Sequence, residues 1–247
     1  MRLGRSAFSE YLLSDKFLSQ LCRWLFCYNL FVVILKELLL ASKKTKTSTP
    51  DIASKVEICL SSKTELESTV ADLACDSRSK RQVASEVVAG VAKHNAELLA
   101  PFVKDIVDAL NRPEQKTRWR CLEALTKLVD VDAKSCEKAI DAADAALFDE
   151  KIGSLRLASF RFLAALGSTS KARSKKTWPL MDEAIQCYHG DIEFDDMLKS
   201  TFEFAKGTLD AEVKKSVAER FEFDAETAKG ALQERALNII NAVKGKK

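Results

Sequence analysis

The feature that most constrains this 247-residue chain is that it repeats itself. Arg81, Arg118 and Arg156 head three segments spaced 37 and 38 residues apart. Three residues after each arginine stands a small side chain (Ala84, Cys121, Ser159). Seven after comes a branched aliphatic (Val88, Leu125, Leu163), and ten after another (Val91, Leu128, Leu166). Offsets of 3, 7 and 10 share one face of an α-helix. The next stretch recurs with the same period: Val103, Ile106 and Leu110 map onto Ile140, Ala143 and Leu147, then onto Trp178, Met181 and Ile185. A fainter fourth unit places Leu198 at 38 after Phe160, with Phe202 and Phe204 in its stripe. One helical pair cannot bury such stripes alone, whereas three or more stacked units make a continuous core.

The rest of the text agrees with an all-α chain. It holds only 8 Gly and 4 Pro, too few for a sandwich or barrel that turns every 8–12 residues. No run shows sustained strand-like alternation. Helical pairs are expected at about 51–75, 78–111, 115–149, 153–189 and 191–222, closed by a helix from Ala225 to about Val243. Thr64 to Glu67 and Ser79 to Gln82 have capping-box spacing, which predicts helix starts there. Pro101 is expected near the first turn of its helix, where a missing amide hydrogen does no harm.

RWRCLEALTKL (118–128) and RLASFRFLAAL (156–166) resemble the first helix of HEAT repeats, over roughly residues 78–206. The resemblance implies a right-handed α-solenoid of about four to five HEAT-like helical pairs, of the armadillo type. It also implies an aspartate ahead of each arginine. Asp76 matches in the first unit, whereas Glu114 and Glu150 stand at other offsets in the next two. A fold of this kind hosts many functions and names none.

Residues 1–48 read differently, as an apolar N-terminal segment followed by a polar linker, ahead of a solenoid over 49–247. Seven of the 19 aromatics fall in the first forty residues. Phe17–Leu40 is the most apolar stretch, but Arg23, Asn29 and Lys36 break it below the roughly 20 residues of a span. It lacks the small-x-small site of a cleaved signal. An extension ahead of the true start, an anchoring helix and a span stay open, and a membrane partner is expected only if residues 17–40 form an anchor.

Charge separates along the chain in the same way. The formal balance is +3, yet residues 50–243 carry 28 basic and 33 acidic side chains, a net of −5. A nucleic-acid-binding body normally carries the opposite sign, so nucleic acid is a disfavoured partner. The seven cysteines, at 22, 27, 59, 75, 121, 136 and 187, form no Cys-x-x-Cys pair. Neither His94 nor His189 completes a zinc spacing. Reduced thiols on helix faces point to a reducing, cytoplasmic setting.

No catalytic constellation, cofactor motif or metal-ligand set is expected. The acidic run Asp191, Glu193, Asp195 and Asp196 lacks the glycine and terminal glutamate of a calcium loop, and it suits the first turn of a helix. The expected function is a non-enzymatic scaffold or adaptor that holds a protein or peptide on a concave face lined by the second helices. Candidate binding residues there are Lys104, Asp108, Lys138, Asp141 and Glu183. Two further candidates are Trp119 beside Arg118, and a basic loop containing Arg173, Lys175 and Lys176. Trp178, at the position of Ile140, is expected in the core. The alternative is a HEAT-like DNA-binding protein or alkylbase glycosylase, for which Arg118, Trp119, Arg156 and Trp178 are the nearest candidates; HEAT-like bilin lyases are a remoter possibility.

Overall fold

The computed structural model describes residues 51–245. Phe17–Leu40, Cys22 and Cys27 lie outside the described residues. From Asp51 onward the chain forms one unit. Its elements are α1 (Ile52–Ser61), α2 (Lys63–Ala71), α3 (Arg78–His94), α4 (Val103–Asp108), α5 (Gln115–Cys136), α6 (Ile140–Leu147), α7 (Gly153–Ser168), α8 (Lys171–Cys187), α9 (Phe194–Ala205), α10 (Ala211–Thr227) and α11 (Ala231–Val243). Short 3-10 turns flank α4 and precede α6, and among the described residues there is no strand. Pro101 falls in the 3-10 turn just ahead of α4.

The pairs α1/α2, α3/α4, α5/α6 and α7/α8 follow in chain order; beyond them α9 packs on α7 and α11, and α10 packs chiefly on α11, so α10/α11 takes the place of the last pair expected over 191–222. This is an α-solenoid, and the boundaries read from the periodicity hold to within a few residues. The last turn is the exception. Helix α10 runs on to Thr227, and α11 starts after Gly230, whose φ of 65° is a conformation that favours glycine.

All nine stripe residues after the three arginines are buried, eight of them fully. Ser159 is among them, and its hydroxyl donates to the Ala143 carbonyl on α6, so a polar side chain costs the core nothing there. Helix α7 is the hub. It packs on α5, α6, α8 and α9, and Leu155, Phe160, Phe162, Leu163 and Leu166 bury nearly its whole circumference. A helix with neighbours on all sides needs no polar face. Gly167 gives α8 and α9 their closest approach to it. A Cβ there would lie 2.1 Å from Thr177 Oγ1 and 2.7 Å from Phe204 Cε2, both in buried residues. Gly167→Ala is therefore expected to destabilise by roughly 1–3 kcal/mol from overpacking, despite alanine's better helix propensity. An unchanged urea midpoint would contradict this packing.

Two sets of caps recur with the period of the stripes. Ser77, Glu114 and Ile152 are the N-caps of α3, α5 and α7. Within the pairs, Asn95 Oδ1 accepts from the Glu97 amide (3.2 Å), Asp132 Oδ1 from Ser135 (3.0 Å) and Ser170 Oγ from Arg173 (3.3 Å). At Asp132 the backbone leaves the helical region (φ −145°), so the turn between α5 and α6 begins there. The expected capping boxes are displaced by two residues: Ser62 caps α2 through the Glu65 amide, and Ser77 caps α3 through the Lys80 amide. Thr64 and Ser79 lie inside their helices.

The three arginines act between repeats, but the carboxylate comes from the following unit. Arg81 donates to Cys75 O (2.7 Å), Asp76 O (2.8 Å) and, through Nε and Nη2, to both carboxylate oxygens of Glu114. Arg156 donates to Asp149 O (3.0 Å) and Glu193 Oε2 (3.4 Å). In the middle unit Ile152 occupies the cap position, so Asp149 takes over, accepting from Gln115 Nε2 (3.0 Å) with Arg118 nearby. An aspartate ahead of the arginine is thus not what pairs with it; Asp76 contributes only its backbone carbonyl.

Candidate functional site

The first helices α1, α3, α5, α7, α9 and α11 pack against one another in sequence along their lengths, while the second helices touch each other far more sparsely. A groove of about 670 Å³ runs across the first-helix layer, lined by Ile52 of α1, Gly90 and Lys93 of α3, Arg120 and Lys127 of α5, and Arg161 of α7, among others. This groove belongs to the first-helix layer, whereas the binding residues expected from the sequence lie on the second helices.

The floor is made of short side chains. Ala89, Gly90, Thr126 and Ala158 occupy the groove where longer residues would fill it. The walls are charged and ordered by the repeat. Glu86, Glu123 and Arg161 are equivalent positions at the 37- and 38-residue period. Glu86 pairs with Lys116 (2.6 Å) and lies 3.9 Å from Arg120, which also holds Glu123 at 2.8 Å. The Arg120 guanidinium lies over the Trp119 ring, 4.2 Å from its centroid, which fixes the arginine's reach into the groove. Among the described residues no carboxylate pairs with Lys93 or Lys127.

Toward the C-terminus the first-helix layer is crossed by ion pairs. Arg161 meets Asp196 (2.9 Å), Lys199 joins Asp196 (2.7 Å) to Asp195 (2.9 Å), and Arg235 pairs with Asp195. The hydrogen bonds from Lys199 and Arg235 hold the Asp195 carboxyl below its usual range. Asp195 and Asp196 stand in the first turn of α9, as the sequence predicts for that acidic run. Among the described residues no group of three or more His, Cys, Asp or Glu side chains is placed to hold a metal ion.

The sequence-chosen residues fall elsewhere. Lys104, Asp108, Lys138, Asp141 and Glu183 are all exposed, on the second-helix side and outside the groove. Residues 171–176 are the start of α8 rather than a loop, capped by Ser170. Three of their four cations are spent between helices: Arg173 (3.2 Å) and Lys176 pair with Glu137, and Lys175 with Asp210 (3.4 Å) and Glu212 (3.4 Å). Cations at a helix N-terminus oppose its dipole, and these carboxylates offset that cost. Arg118 and Trp119 are half-buried, and Trp119 packs against the core. Trp178 is in the core, stacked on Phe204 with its indole N–H donated to Ser216 Oγ (2.9 Å). Arg156 is engaged by Glu193 and lies over the Tyr188 ring. The four residues of the base-excising alternative therefore do not converge.

Sequence reasoning missed Glu86, Lys93, Arg120, Glu123, Lys127 and Arg161. A signal was present, since three of them recur at the repeat period on the face opposite the apolar stripe.

No protein-family model matches the sequence, and no curated protein does. Solved structures do. The chain is similar to a designed armadillo repeat protein in complex with the peptide (KR)4 (TM-score 0.62, 13% identity, covering 79% of this chain and 95% of that one). It is also similar to computationally designed armadillo repeat proteins for modular peptide recognition (TM-score 0.57, 13% identity, 77% and 91% covered). An engineered protein matches at TM-score 0.62 and 13% identity, over 81% and 93% of the two chains. The protein thus has the armadillo/HEAT-like repeat solenoid fold.

Proposed function

We propose that this protein is a non-enzymatic interaction module that holds an extended peptide segment of a protein partner in the groove across α1, α3, α5 and α7. The observation that carries the reading is the groove itself: a floor of small residues with charged, register-repeating walls across four first helices of the solenoid. A hollow of this shape admits a peptide main chain, and the walls supply polar contacts at each repeat. The similar designed armadillo proteins recognise peptides, according to their descriptions, which agrees with this use of the fold. A cytoplasmic setting fits the thiols. Burial pushes Cys121 and Cys136 up to about 12, so both remain unreactive thiols at neutral pH.

Panning the full-length chain against a random nonapeptide library tests the reading. Selected peptides are expected to lose roughly tenfold or more in affinity (about 1.4 kcal/mol) when Thr126→Trp or Ala89→Trp fills the groove. Asp141→Lys and Glu183→Lys, on the second-helix side, are expected to change little. Peptides that respond to those two variants instead would place binding on the other layer. A library that yields no binder would overturn the proposal.

A further inference from the structure

The charge of the groove narrows what it can hold. Four cations line it, Lys93, Arg120, Lys127 and Arg161, against two carboxylates, Glu86 and Glu123. Both carboxylates are already satisfied, Glu86 by Lys116 and Arg120, and Glu123 by Arg120. Arg161 is held by Asp196. What remains for a ligand is the pair of lysines, which have no ion-pair partner among the described residues. An anionic ligand would find two ammonium groups free, whereas a cationic one would find only carboxylates already engaged.

The lysines also set a spacing. Lys127 is the repeat equivalent of Gly90, so Lys93 lies one helical turn further along α3. Neighbouring helix axes stand ~8–10 Å apart, and three residues of helix rise ~4.5 Å, so the two stems start ~10 Å apart. In a polyproline-II chain residues i and i+3 share a face at a separation of ~9 Å. The length is bounded as well. Three helix spacings from α1 to α7 amount to ~24–30 Å, or about eight extended residues at ~3.3 Å each. Beyond α7 the ion-pair chain from Arg161 to Arg235 crosses the face and separates the groove from a smaller hollow of about 350 Å³ between α9 and α11.

We propose that the groove is selective for an acidic extended peptide of about eight residues, whose carboxylates at positions i and i+3 are taken by Lys93 and Lys127. This rests on the peptide-binding reading above and goes beyond it by fixing the sign, spacing and length of the ligand. A peptide suits the groove better than a nucleic acid. Glu86 and Glu123 in its walls would repel a phosphate backbone, and among the described residues no aromatic side chain lines the groove to stack a base.

The test uses the full-length protein and four labelled probes followed by fluorescence anisotropy. The probes are a nonapeptide with glutamates at i, i+3 and i+6 in a Ser/Pro background, the same peptide with lysines at those positions, a neutral one, and a single-stranded oligonucleotide. The acidic peptide is expected to bind tightest and to weaken with rising salt. Lys93→Glu combined with Lys127→Glu is expected to weaken it roughly tenfold or more and to improve the lysine peptide. Lys104→Glu with Lys138→Glu, equal in charge change but on the other layer, is expected to leave it unchanged. Preference for the lysine or neutral peptide, abolished by Thr126→Trp, would overturn the acidic assignment while leaving peptide binding in the groove intact. Preference for the oligonucleotide, or equal sensitivity to both double variants, would overturn it too. Failure of every peptide probe would count against the groove reading itself.

Discussion

Replacing Phe160 by alanine is expected to remove roughly 3–5 kcal/mol of unfolding free energy, the largest loss of any single truncation considered. Phe160 is fully buried on α7, and α7 is the helix on which α5, α6, α8 and α9 converge. A void there cannot be closed by one neighbour moving in, because each neighbour is itself fixed by the next repeat. Solenoid stability is approximately a sum of repeat and interface terms, so weakening the middle interface also weakens coupling between the two halves. The urea midpoint followed by circular dichroism should fall, and the transition should broaden. An unchanged midpoint would mean that α7 is not the hub of the fold.

The second large effect is expected at Glu114, the buried carboxylate that meets Arg81 across the first inter-repeat junction. Glu114→Ala leaves a guanidinium at that junction with only two backbone carbonyls for company. Removing one partner of such a pair is destabilising because the other charge is left unsatisfied. The same pair predicts a pH dependence. Hydrogen bonding to Arg81 holds the Glu114 carboxyl below the usual range in the folded protein. Its contribution is therefore fully present above the pKa of the unfolded chain, about 4.3, and is lost as pH falls through the lower folded value. Urea midpoints measured from neutral pH downward should drop in the parent protein. In Glu114→Gln they should start lower and drop less. Parallel profiles would show that Glu114 is not coupled to folding.

How much of this was legible in the sequence follows from where each feature is encoded. The stripe at Ala84, Val88 and Val91 and its two copies are core positions, and burial imposes helical periodicity on them, so pairing and boundaries could be read directly. The second-helix stripe Val103, Ile106 and Leu110 was legible for the same reason. The ladder partner was not. Glu114 belongs to Arg81 only once the next repeat has stacked, and the local order of residues places Asp76 nearer. Residues 171–176 looked like a loop because consecutive cations suit neither a core nor a helix start. The carboxylates that neutralise them, Glu137 and Asp210, come from the neighbouring repeats at distances in sequence that no local pattern reveals. Caps were displaced by two residues because serines and threonines crowd both starts, with several hydroxyls at plausible positions.

The side of the groove was the least legible feature. Periodicity says that two helical layers exist, and it gives no sign of which layer carries the groove. That depends on side-chain bulk between like helices. Ala89, Gly90, Thr126 and Ala158 let the first helices crowd together, and this shows only when the solenoid is assembled. The fold was thus encoded in what is buried, while the candidate site is encoded in what the packed repeats leave between them.

A peptide is proposed to lie across the first helices. Amide chemical-shift mapping on the isotope-labelled full-length protein, titrated with the acidic nonapeptide, tests it most directly. Perturbations concentrated at residues 86–93, 120–127 and 158–161 are the predicted result. Perturbations centred on residues 104–108, 138–141 and 183, with the first helices unmoved, would contradict it.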